Sequence, residues 1–197
     1  MELTLSGRKT RDISVCQKRR QNMDKIKVAG YVKLAKWWDK QKDRAIPYHE
    51  EYYRKMFDGS EVFELVGVYI DITGNKDIYK RTEMIRLIRD CVDGKVDCIA
   101  TLTKGYLARN MQDFSYLFKY LMDARDGHID FITEDENDKE DHTGFYIDTI
   151  KNVDDQKGAL REMVEQFASL YPKDYQEWKG KVDRAIDNLQ EGREHNG

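Results

Sequence analysis

The sequence predicts an α/β fold: three layers, α/β/α, around a mostly parallel sheet, followed by C-terminal helices. Three observations carry this. Strand-like and helix-like apolar periods alternate from residue 26 to residue 132. The middle strand-like runs are apolar almost throughout, as strands covered on both faces are. Glycines close three of the helical runs, at Gly59, Gly94 and Gly127.

In chain order, Ile26, Val28, Val32 and Leu34 recur with a period of two, with Gly30 breaking the row, and mark a first strand. Tyr48, Tyr52 and Met56 then recur every four residues, a helix ending near Asp58-Gly59. Leu65 to Asp71 is a second strand, apolar until its end. Met84, Ile85, Ile88, Cys91 and Val92 form a helical stripe closed by Asp93-Gly94. Asp97 to Leu102 is a third strand. Phe114, Leu117, Phe118, Leu121 and Met122 make the clearest helix face, ended by Gly127, and His128 to Ile132 is a fourth strand. Sheets of this order place ligand sites at the C-terminal ends of their strands. That singles out Lys33 to Asp39, Asp71 to Arg81 and Thr101 to Asn110. Loose helical spacing resumes after residue 143, and Pro172 opens a last helix carrying Tyr175, Trp178, Val182, Ile186 and Leu189.

The organisation is therefore a basic arm at 1–25, an α/β domain at 26–142 and a helical extension at 143–197. The arm carries seven basic side chains against three acidic ones and has no apolar period. It is either an ordinary leader or a DNA-contacting arm. Residues 134–141 form an acidic, solvated loop. With a net charge of −3 over 197 residues, the chain has no global attraction to nucleic acid or anionic lipid, so any DNA contact needs a local basic patch. No apolar run reaches the roughly 20 residues of a membrane span. Cys16, Cys91 and Cys98 lack metal or disulfide spacing, and the last two fall on core positions. His49, His128 and His142 likewise form no metal spacing. A reducing cytoplasm, with no metal or other cofactor, is expected.

Three strand-end segments resemble those of the serine site-specific recombinases, the resolvases, invertases and large serine integrases. Tyr31-Val32-Lys33-Leu34-Ala35 resembles that family's Y-x-R-x-S motif. Glu64 to Asp71, with Gly74 and Lys80-Arg81 after it, resembles E-x-V-x-x-Y-x-D followed by glycine and a basic pair. Gly94-Lys95-Val96-Asp97, with Gly105-Tyr106-Leu107-Ala108-Arg109-Asn110 after it, resembles G-K-x-D followed by S-R-x-x-R-N. Order and spacing agree across roughly residues 26–145.

The resemblance implies a resolvase-like α/β fold. It also implies a serine that attacks a DNA phosphodiester, with clustered arginines on the phosphate oxygens. Here the nucleophile position is Ala35, which has no hydroxyl. One arginine position is Lys33, which lacks a bidentate fork, and another is Tyr106. A glutamine position is occupied by His49. Arg81 and Arg109 match. The catalytic set is thus Ala35, Lys33, Arg81, Arg109 and Tyr106, with the nucleophile and two arginines, at Lys33 and Tyr106, substituted. Lys33, Arg81 and Arg109 are the candidate phosphate or DNA ligands.

No zinc ribbon or helix-turn-helix module is recognisable. The expected function is a non-catalytic recombinase-like protein that binds DNA or pairs, through its C-terminal helices, with itself or an active recombinase. The alternatives are a phosphoryl-transfer enzyme with a displaced nucleophile (Thr73, Thr101 or Thr103) and a protein-interaction module on the same scaffold. Trp37 and Trp38, directly after Ala35, are either packed residues or a partner-binding patch.

Overall fold

The structure is a computed structural model, and it describes residues 25–133, 165–166 and 168–194. The basic arm before Lys25, the acidic run from residue 134, His142 and Cys16 lie outside the described residues. Four strands form one parallel sheet: β1 (Ile26–Leu34), β2 (Phe63–Ile72), β3 (Cys98–Thr101) and β4 (Asp130–Thr133). The helices between them are α1 (Lys42–Phe57), α2 (Thr82–Val92), the short α3 (Lys104–Leu107) and α4 (Met111–Ala124). Helix α5 (Pro172–Glu194) comes last, and 3-10 turns at Lys36–Gln41 and Ile78–Lys80 precede α1 and α2. The predicted order of strands and helices is therefore the observed one. The third and fourth strands are shorter or shifted relative to the apolar runs. The ladder starts only where the amides of Asp97 and Asp130 reach the Lys27 and Asp97 carbonyls.

The strand order β2-β1-β3-β4 explains the layers. From β1 the chain steps one way to β2, then crosses back over β1 to β3 and on to β4. Right-handed crossovers in opposite directions place their helices on opposite faces. Side chains of β1 accordingly alternate between two cores. Val28, Val32 and Leu34 pack with Ala45, Tyr53 and Phe57 of α1. Ala29 and Tyr31 pack with Leu87 and Ile88 of α2 and Leu117 and Leu121 of α4. Gly30 interrupts the first row because the Tyr53 ring lies directly on it; a Cβ there would stand 2.6 Å from the ring. Helix ends follow the expected signals. Asn110 accepts the Asp113 amide at the start of α4 (2.8 Å), and Gly94 after α2 has φ 74°, where a side chain is strained.

Helix α5 folds back over α2 and α4. Tyr175, Trp178 and Val182 belong to the same buried core as the helices beneath, and Trp178 sits in ring contact with Tyr116 and Tyr120. Tyr120 adds a hydrogen bond to Asp183 (2.8 Å). The last helix thus completes the core of the α/β unit. No described helix is long and apolar enough to cross a membrane.

Candidate functional site at the sheet edge

The reversal of strand order falls between β1 and β3, and sheets of this kind take their ligands beyond the C-terminal strand ends at such a point. Tyr31 lies beside Thr101 across this seam, and Ala35 follows directly on β1. Ala35 is exposed. Its carbonyl accepts the Trp38 amide (3.0 Å), which starts the 3-10 turn carrying both tryptophans. No hydroxyl stands at the strand end. The three threonines nearby are each engaged locally. Thr101 donates to the Tyr31 carbonyl (3.0 Å), while Thr103 and Thr73 accept the amides of Gly105 (2.9 Å) and Asn75 (3.0 Å).

Below the edge, on the α2 face, lies a buried polar network that the apolar pattern of β1 and β2 does not announce. Asp71, the polar residue ending the apolar run of β2, accepts the amides of Glu83 (3.1 Å) and Met84 (2.9 Å). It therefore caps α2 from outside the helix, where the helix dipole favours an anion. Asp71 also accepts the Tyr31 hydroxyl (3.0 Å). Burial, reinforced by the Asp71 charge, pushes the Tyr31 phenol far above its ordinary value, so it stays a hydrogen-bond donor.

The three cations singled out from the sequence are in three different situations. Arg81 is 2% exposed, although a strand-end arginine reads from sequence as a surface residue. Its Nη1 donates to the carbonyls of Tyr106 (2.8 Å) and Leu107 (2.9 Å), its Nη2 donates to the carbonyl of Lys76, and its Nε is buried without an acceptor. The guanidinium thus fastens the 76 loop to α3. Arg109 is half-exposed and turned to carboxylates, with Nη1 to Asp77 at 3.1 Å and Nε to Asp113 at 2.6 Å. It ties the turn before α2 to the start of α4. Lys33 forms no ion pair or hydrogen bond among the described residues. Burial, then the neighbouring Arg81 charge, lowers its ammonium below the ordinary lysine value, and Asp71 opposes the shift. Among the described residues, Lys33 is the one of the three without a partner.

Tyr106, at the substituted arginine position, is half-buried and packs against both cores, while its carbonyl serves Arg81. His49 lies on α1, half-buried, with burial lowering its imidazole value and Nδ1 without a hydrogen bond. Among the described residues, no three His, Cys, Asp or Glu side chains gather as metal ligands.

No protein-family model and no curated protein matches the chain. Solved structures of similar fold include the N-terminal catalytic domain of TP901-1 integrase, 22% identical, covering 68% of this chain and 98% of that one with a TM-score of 0.39. Another is the first ORF in transposon ISC1904 from Sulfolobus solfataricus P2, at 18% identity, 81% and 98% coverage and a TM-score of 0.41. A third is a resolvase family site-specific recombinase from Streptococcus pneumoniae, at 17% identity, 74% and 99% coverage and a TM-score of 0.41. Identity this low transfers no residue roles, which rest on the residues described above.

Proposed function

We propose that this protein is a recombinase-like DNA-binding protein that keeps the scaffold of a strand-cleaving enzyme and lacks its chemistry. One observation carries the reading: directly after β1, at the switch point of the sheet, the chain presents an exposed Ala35, with no hydroxyl. Covalent phosphoryl transfer needs a nucleophile held in line with the phosphorus and cations on its oxygens. The Thr101 hydroxyl is donated to the Tyr31 carbonyl, the Thr73 and Thr103 oxygens accept local backbone amides, and Arg81 is committed to carbonyls. A lost nucleophile alone costs many orders of magnitude in rate. What remains suited to DNA is charge: Lys33 and the lysines after it give the sheet edge a local positive field that the whole chain lacks.

Incubation with supercoiled plasmid is expected to give no nicks and no protein–DNA adduct. A gel-shift titration on duplex is expected to show binding that weakens steeply with salt. An adduct that survives denaturation overturns the non-catalytic reading, and absence of any shift at low salt overturns duplex binding.

A further inference from the structure

The segment that replaces the nucleophile and follows it carries an unusual combination. The 3-10 turn Lys36–Gln41 holds Trp37 and Trp38 stacked, ring centroids 4.4 Å apart and planes inclined by 28°. Trp38 is half-buried and packs against the α1-side core, whereas Trp37 remains 62% exposed. An indole left in water beside a packed one is not explained by the core, because that burial is already supplied by Trp38. The backbone beneath the pair is hydrogen-bonded: the Trp38 amide donates to the Ala35 carbonyl, and the Thr73 amide to the Leu34 carbonyl just before it.

The charges in the segment that carries this ring are equally unspent. Lys33, Lys36, Lys40, Lys42 and Arg44 stand against Asp39 and Asp43 in a chain whose net charge is −3. None of the five cations makes an ion pair among the described residues, whereas Arg54, Lys80, Arg86, Lys95 and Arg109 all do. Lys76, exposed across the edge, also makes no ion pair among the described residues and is close enough for its charge to bear on Lys33.

We propose that Trp37 and the unpaired cations of residues 33–44 form a contact for single-stranded DNA, with an unstacked base lying on the Trp37 ring and the cations on the flanking phosphates. This rests on the reading of the chain as a DNA-binding protein and adds the kind of DNA it takes at this edge. Charge alone suits any polyanion. The exposed ring makes the choice, because bases within a duplex offer only their edges, while unpaired bases offer a face to an aromatic side chain. A ring already backed by a second indole needs no ordering on binding. Without Ala35 as a nucleophile, bound DNA at this edge is retained unchanged.

The test uses the full chain and three labelled probes of equal length: a thymidine oligonucleotide, an abasic single strand and a duplex. Trp37→Ala is expected to weaken thymidine binding about tenfold and to leave abasic and duplex binding unchanged, since one base stack is worth about that much. Trp37→Phe, which keeps a ring, is expected to recover most of the loss. Lys36→Ala with Lys40→Ala is expected to lower the salt slope on both single strands by about 0.7 per lost phosphate contact. Equal wild-type affinity for thymidine and abasic strands, or thymidine binding indifferent to Trp37→Ala, overturns the proposal; a patch serving a protein partner gives that result. Duplex binding reports separately on the parent reading. Its loss with thymidine binding intact overturns duplex occupancy alone, and no binding to any probe overturns both.

Discussion

Two halves of one sheet edge use positive charge in opposite ways. On the β2–α2 side, Arg81 lies buried with its guanidinium on three carbonyls, beside an Asp71 that caps a helix and holds Tyr31. On the side leading from β1 into α1, five cations and an exposed indole make no ion pair among the described residues. In the first half, Arg81 and Asp71 are spent on backbone groups of the fold. The second has kept charge free on the surface, where it costs little stability and remains available to a partner. A matched arginine is therefore no measure of a retained site; what counts is whether its donors are already taken.

The comparison is broken most directly at Arg81. Arg81→Ala orphans three carbonyls at about 1–3 kcal/mol each, so a loss of roughly 3–5 kcal/mol in urea unfolding is expected. Nucleic-acid affinity of the folded fraction should not change. Unchanged stability with weakened binding would reverse the assignment and make Arg81 a ligand residue.

A smaller effect is expected at Asp90 of α2, a second charge spent inside the fold. Its carboxylate accepts from Tyr69 (2.8 Å) and Arg89 (3.0 Å) and pairs with Lys95. Burial pushes the Asp90 carboxyl up, but the hydrogen bonds from Tyr69, Arg89 and Lys95 outweigh it and hold the group below the usual range. The folded carboxyl thus ionises at lower pH than the unfolded one. Its stabilisation is complete above the unfolded value near about 4 and disappears as pH falls through the folded value. Asp90→Asn is expected to cost about 2 kcal/mol at neutral pH and less as the solution is acidified. Unfolding curves across an acid series measure this, and a constant cost at every pH would count against the assignment.

The smallest effect sharpens the other half. Lys36→Ala should change unfolding free energy by less than about 0.5 kcal/mol, because its exposed ammonium makes no ion pair or hydrogen bond among the described residues. A larger loss by the same urea measurement would mean that the free half of the edge is structural too.

Much of this architecture was legible in the residues. A period of two along Ile26–Leu34 found the two-faced central strand, and Gly59, Gly94 and Gly127 marked helix ends. The gap at Gly30 was visible as a break, but its cause, the Tyr53 ring, comes from a helix residue 23 positions on. At the site, Ala35 and the tryptophans after it could be read directly. The Tyr31–Asp71–Arg81 network could not, although Asp71 ending an apolar strand was a signal for it.

By itself the sequence determined the alternation of strands and helices, an alanine without a hydroxyl after the first strand, and the cation-rich segment that carries Trp37. All three are properties of neighbouring residues, which local period and residue chemistry express. Only the tertiary structure decided that Arg81 is consumed, that Arg109 is drawn to Asp77 and Asp113, and that α5 closes over α2 and α4. Those outcomes depend on acceptors and apolar faces that are often distant in the chain. A guanidinium takes whichever oxygens the fold brings within about 3 Å, and the local pattern does not name them.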